Sequence, residues 1–92
     1  MDIRTELYSV IQDRKEHPVE GSYTNFLFDK GTDKISKKLG EEAVEVVIAA
    51  SQRDRKAIIQ EIADLEYHLL VLMVDRGITP DDIENELKSR RS

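Results

Sequence analysis

Four carboxylates occur in two pairs of identical spacing, Glu42-x-x-Glu45 and Glu61-x-x-Asp64, within consecutive stretches of helical periodicity. An i, i+3 spacing puts each pair on one helix face, and a short turn between the helices folds the two faces together. Four carboxylates could then converge. At about 100° per residue Glu42 falls nearly in line with Ile35 and Val46, inside the apolar stripe rather than opposite it. A carboxylate near a core costs several kcal/mol unless something positive compensates it, and neighbouring carboxylates repel one another further. A divalent cation would supply that compensation. An oxygen-only donor set with no cysteine and no evident histidine pair suits Mg²⁺, with Mn²⁺ as a substitute, better than zinc. A single Glu-x-x-Glu in so charged a chain is usually a solvated helix face; two pairs on adjacent helices argue against that reading here.

Bases accompany these acids. Lys34, Lys38, Glu41 and Glu45 share a sector of about 60° on the helical wheel, with Glu42 just beyond its edge. Lysines in the first turns oppose the helix dipole, and Lys38 preceding Glu42 is the weaker orientation of an i, i+4 pair. Helix stability alone does not select this arrangement, whereas cations beside a carboxylate-held metal could grip nucleotide phosphates. Ordinary Lys–Glu surface pairing is the bland alternative. His68 follows Asp64 by one turn, so it could touch substrate or support the site, although a lone histidine beside Tyr67 and Leu69 is more often packed with a satisfied ring. Tyr23, Phe26 and Phe28 could stack a base, but Phe26 and Phe28 read better as core residues of a small bundle.

Five helical stretches would position these residues, giving an all-α, small antiparallel helical bundle in one domain spanning 1–92. The first runs from Ile3 to about Glu16, with Asp2 as cap, the stripe Ile3, Leu7, Val10, Ile11, and His17-Pro18 ending it. Ser22 to Phe28, stopping at Gly31, is a short helix or an ordered loop. The third runs from Asp33 to about Ser51, with Thr32 or Asp33 as cap and Ile35, Leu39, Val46 and Ala50 apolar. Arg55 to about Asp75 follows after a turn at Gln52-Arg53-Asp54, with Ile58, Ile59, Ile62, Leu65, Leu69 and Met73 on one stripe and Gly77 at C′. Thr79-Pro80-Asp81-Asp82 combines cap, N1 proline and first-turn acids, opening a last helix through Ile83 and Leu87.

Ninety-two residues bury only about 60 to 65% of the surface the unfolded chain exposes, so the core is modest. The absence of cysteine removes disulfides, thiolate metal sites and thiol catalysis. Leu69 to Val74 is apolar all round, which implies cover from a partner chain and hence a homo-oligomer, at least a dimer. Nineteen acids against fourteen bases, net −5, argue against nucleic-acid binding. Asp2, Arg4 and Glu6 interrupt any amino-terminal apolar run and no segment approaches a membrane span, so a cytoplasmic protein without membrane partners is expected.

The chain strongly resembles the phosphoribosyl-ATP pyrophosphohydrolases of histidine biosynthesis, members of the MazG-like all-α nucleotide pyrophosphohydrolases. The resemblance covers nearly the whole chain. It rests on Gly21-Ser22-Tyr23-Thr24 with Asp29-Lys30-Gly31, on Lys37-Lys38-Leu39-Gly40-Glu41-Glu42-Ala43-Val44-Glu45-Val46-Val47, and on Glu61-Ile62-Ala63-Asp64-Leu65-Glu66-Tyr67-His68-Leu69-Leu70-Val71. The acidic core alone would identify the superfamily; the three strings together are specific to the phosphoribosyl-ATP branch. Glu66 stands where an apolar residue is usual. The resemblance implies Mg²⁺-dependent hydrolysis of phosphoribosyl-ATP between the α and β phosphates to phosphoribosyl-AMP and pyrophosphate, the second step of the pathway. It implies metal ligands at Glu42, Glu45, Glu61 and Asp64, an obligate oligomer, and a chain that performs this step alone, without the cyclohydrolase domain to which some relatives are fused. Glu41 or a ligand carboxylate would take the proton of the attacking water, Lys34 and Lys38 would meet phosphates, and Ser22, Tyr23 and Thr24, with His68 as a further candidate, would contact the substrate. Two rivals stand beside it: an enzyme of the same fold that clears non-standard or excess nucleoside triphosphates, and a catalytically silent helical dimerisation module. A substrate panel separates the first and Mg²⁺-dependent melting the second.

Overall fold

The computed structural model describes residues 2–91 and contains five helices: α1 (Ile3–Glu16), α2 (Tyr23–Lys30), α3 (Thr32–Gln52), α4 (Arg55–Asp75) and α5 (Pro80–Ser89). No strand occurs among the described residues, so the fold is all-α. The segment from Ser22 resolves to a true helix, because Ser22 is extended and its hydroxyl accepts the Asn25 N–H at 3.2 Å, satisfying an otherwise orphaned donor.

Single residues make the joints. Gly31 closes α2 and opens α3 at φ 92°, a backbone region that side chains disfavour. Thr32 and Asp33 therefore do not cap α3: the helix begins at Thr32, whose hydroxyl instead donates to Asp75 at 2.6 Å, fastening the start of α3 to the end of α4. Arg53 in the left-handed region and Asp54, whose carboxylate accepts the Ala57 N–H, turn α3 back as α4, and this two-residue connection makes the pair antiparallel. At the far end of α4 the Gly77 N–H reaches Val74 O and the Ile78 N–H reaches Met73 O, a Schellman closure around Gly77 at φ 69°. Thr79 and Asp82 form the reciprocal capping box that starts α5.

The core comprises Tyr8 and Ile11 of α1, Leu27 of α2, Ile35 of α3, and Leu70, Val71 and Val74 of α4. It corrects several stripes read from periodicity. On α1, Tyr8 replaces Ile3 and Val10, both exposed, because the Tyr8 hydroxyl donates to Ile78 O at 2.9 Å and turns that face inward. On α2, Leu27 is the fully buried residue; Phe28 packs partly against the core and Phe26 is 43% exposed. On α3, Ala49 rather than Ala50 is buried. On α4, Ile59, Ile62 and Leu69 face outward, while the Leu69–Val74 girdle is mostly covered by its own chain, through Leu70, Val71 and Val74, with Leu72 and Met73 packed against the core. Asp2 occupies the α1 cap position without making a side-chain cap bond.

One buried polar residue holds the α1–α2 connection. Asn25 accepts the Val19 N–H at 2.8 Å and donates to Arg14 O at 2.6 Å, so its amide replaces two backbone partners that the Pro18 loop lacks. Glu66 binds Arg4 through two oxygens, the second at 3.1 Å from Nη2, and ties α4 to α1. No helix among the described residues is long and apolar enough to cross a membrane.

Candidate active site

The α3–α4 hairpin brings carboxylates together as the spacing requires. Glu42 on α3 and Glu61 and Asp64 on α4 present oxygens that all lie within 4.8 Å of one another, Glu42 and Glu61 half-buried and Asp64 exposed. Glu45, one turn beyond Glu42, is exposed and outside this group, yet its charge still acts on Glu61. The Glu61 carboxyl is held above its ordinary range, first by burial and then by the charges of Asp64, Glu45 and Glu42. An oxygen-only cluster of this kind, crowded with negative charge on a rigid hairpin, has the chemistry of a hard divalent cation site.

Lys38 is half-buried on α3, with Nζ 3.6 Å from Glu41 Oε2 and its charge felt by Tyr23 of α2; Lys34 is half-buried one turn earlier. Glu41 is exposed. The Lys–Glu pair foreseen as a plain surface alternative therefore exists, between Lys38 and Glu41, and does not engage the triad.

The hydroxyls of Ser22, Tyr23 and Thr24 are each spoken for within the chain. Ser22 caps α2; Tyr23 Oη lies 3.0 Å from His68 Nε2; the Thr24 hydroxyl is hydrogen-bonded to that of Tyr67. His68 is 5% exposed and its Nδ1 lies 2.7 Å from Asp64 O, so it is a packed, satisfied histidine rather than an open substrate contact. The phenol ring of Tyr23, by contrast, is 45% exposed, and Phe26 stacks beside it with centroids 6.2 Å apart and planes 21° apart. Burial of its hydroxyl end holds Tyr23 above the usual phenol range, opposed by Lys38 and reinforced by Tyr67, Glu42 and Glu41. Tyr67 was given no role from sequence, although a tyrosine in an otherwise aliphatic helix needs a partner for its hydroxyl. Asn25 was also missed; its signal was a lone amide between Thr24 and the apolar run Phe26-Leu27-Phe28.

The profile of the family described as phosphoribosyl-ATP pyrophosphohydrolase matches residues 4–91. The chain belongs to that family. Among curated relatives, the phosphoribosyl-ATP pyrophosphatase of Clostridium botulinum (strain Hall) is 58% identical over 85 residues, covering 92% of this chain and 77% of the relative. That of Lacticaseibacillus casei (strain BL23) is 60% identical over 84 residues, covering 91% and 76%. The histidine biosynthesis bifunctional protein HisIE of Thermoanaerobacter pseudethanolicus is 63% identical over 84 residues, which span 91% of this chain but 39% of that longer protein. As a member of the phosphoribosyl-ATP pyrophosphohydrolase family the chain is a hydrolase, and its hairpin carboxylates are the polar cluster on which such chemistry can be built.

Proposed function

We propose that the chain hydrolyses phosphoribosyl-ATP to phosphoribosyl-AMP and pyrophosphate in histidine biosynthesis, with Mg²⁺ as its cofactor and Mn²⁺ as a substitute. The observation that carries this reading is the convergence of Glu42, Glu61 and Asp64 in a chain whose relatives bear that activity in their names. Glu42, Glu61 and Asp64 would hold the cation, with Glu45 of the adjacent turn as a fourth candidate ligand. A bound divalent cation supplies Lewis acidity toward phosphate oxygens and toward a nucleophilic water.

The remaining work falls to side chains. Water attacks phosphorus in line, an O–P bond forming as the bond to the α,β-bridging oxygen breaks and pyrophosphate departs with the bond's electron pair. The water's proton passes to Glu41 or to a carboxylate of the cluster. Lys38, drawn from Glu41, and Lys34 meet the phosphate charge as it grows. The exposed rings of Tyr23 and Phe26 offer a flat surface for the base, and the first turn of α2 shapes the substrate-facing wall.

The working molecule is a homo-oligomer, at least a dimer. Val44, Val47 and Ile48 of α3 and Ile59 and Ile62 of α4 are exposed at the same level of the hairpin, a run of apolar surface that a single chain leaves wet. The test of function is pyrophosphate release from phosphoribosyl-ATP assayed beside ATP, dCTP and dUTP. Preference for phosphoribosyl-ATP supports the assignment, and preference for a plain nucleoside triphosphate replaces it with the clearing role.

A further inference from the structure

Resting on the function just proposed, we propose that His68 is a positioning residue: its hydrogen bond to Tyr23 fixes that ring at the edge of the carboxylate cluster, so that the pair holds the nucleotide as one unit and His68 itself never touches it. The imidazole is 5% exposed, which leaves no open approach for a ligand. Its Nδ1 lies 2.7 Å from Asp64 O, and a carbonyl can only accept, so Nδ1 carries a proton. In that tautomer Nε2 holds the lone pair and accepts the hydrogen bond that the Tyr23 hydroxyl, 3.0 Å away, donates.

Two tyrosine rings pack against the imidazole. Tyr67 meets it edge-on at 5.0 Å and 90°, and Tyr23 at 5.8 Å and 74°. A second tie runs in parallel, from Thr24 to the Tyr67 hydroxyl, so consecutive residues at the start of α2 are fastened to consecutive residues of α4. This clamp begins one turn after Asp64 and uses the Asp64 carbonyl as its anchor, which links the placement of Tyr23 to the backbone that carries a cluster carboxylate. An aliphatic side chain would fill the same space without the desolvation cost of an imidazole; His68 is justified by having both nitrogens engaged.

The test compares Tyr23→Phe, His68→Leu, His68→Gln and the double variant Tyr23→Phe/His68→Leu for kcat, KM and the Mg²⁺ concentration at half-maximal rate, with Tm measured for each. Loss of the single hydrogen bond should raise KM about tenfold in either single variant, with kcat and the Mg²⁺ midpoint far less affected. The double variant should show the same roughly tenfold rise rather than a hundredfold one, and His68→Gln, whose amide can accept from the hydroxyl, should recover part of it. Independent effects that multiply in the double variant overturn the proposal. So does a fall in kcat with a shifted Mg²⁺ midpoint in His68→Leu while Tyr23→Phe keeps the wild-type KM, because His68 would then act on Asp64 alone. If His68→Leu fails to fold, the ring nitrogens of the ¹⁵N-labelled protein decide: the Nε2 resonance should move in Tyr23→Phe with Nδ1 still protonated, and an unmoved Nε2 contradicts the bond. The wild-type ranking of phosphoribosyl-ATP against ATP, dCTP and dUTP judges the function separately, and the variant-to-wild-type KM ratios are read on whichever substrate is turned over best.

Discussion

Among individual residues, Glu61 is the one whose titration reports on the cluster. Its folded-state pKa lies above the ordinary value, through burial first and then Asp64, Glu45 and Glu42, so the folded chain holds this proton more tightly than the unfolded chain does. Stability therefore falls as pH rises through the window just above the normal glutamate range, and levels off once Glu61 is ionised in both states. Glu61→Gln should flatten that slope and raise the Tm of the metal-free protein at neutral pH, while abolishing any rise in Tm on adding Mg²⁺; thermal melts across pH, with and without Mg²⁺, check both. Asp64→Asn should lower kcat by roughly two to four orders of magnitude at saturating Mg²⁺, the loss of several kcal/mol of charge stabilisation. This part of the site was legible because i, i+3 spacing is a property of sequence. What was not legible was which carboxylate stands apart: Glu45 shares the spacing of Glu42 but falls outside the 4.8 Å group, since the exit direction of a side chain depends on how α3 is rotated against α4.

At the level of elements, the joints are made by residues whose backbone chemistry is stated in the sequence, and the faces are not. Gly77 reads directly as a helix terminator and closes α4 at φ 69° with open space around its Cα. Gly77→Ala meets no steric obstacle there, so the cost should be that of the left-handed backbone alone, about 1 kcal/mol, lowering Tm by roughly 4–8 °C in a calorimetric scan. Asn25→Ala strips partners from Val19 N–H and Arg14 O together and should cost about 2–3 kcal/mol, with hydrogen exchange of the 17–22 loop rising most. The buried faces of α1 and α4 depart in part from their periodic stripes for one physical reason. Periodicity finds an apolar arc but not its centre, and the centre was set by polar anchors distant in sequence: Tyr8 on Ile78 O, Glu66 on Arg4, Thr24 on Tyr67 and Tyr23 on His68.

For the whole molecule, the Cα radius of gyration is 14.3 Å, against about 12 Å for a compact chain of this length. The excess goes with α5, which buries none of its residues. Val47, 67% exposed in the middle of α3, is the most informative position: sedimentation should give at least twice the chain mass of 10.6 kDa for the wild type, and Val47→Asp should shift it toward the monomer. A small core was legible from length and composition, but of the Leu69–Val74 girdle only Leu69 stays largely exposed, and further apolar surface lies on Val44, Val47, Ile48, Ile59 and Ile62 of the hairpin. The net charge of −5 is likewise resolved by placement: part of it is gathered at one hairpin, flanked by Lys34 and Lys38, where a cation would convert an acidic patch into a site for a polyanion. The most direct measurement is Mg²⁺-titrated pyrophosphate release from phosphoribosyl-ATP by the wild type and by Glu42→Gln. Turnover that requires Mg²⁺ and is lost in the variant is the predicted result; no pyrophosphate at any Mg²⁺ concentration, or an undiminished rate in Glu42→Gln, would contradict it.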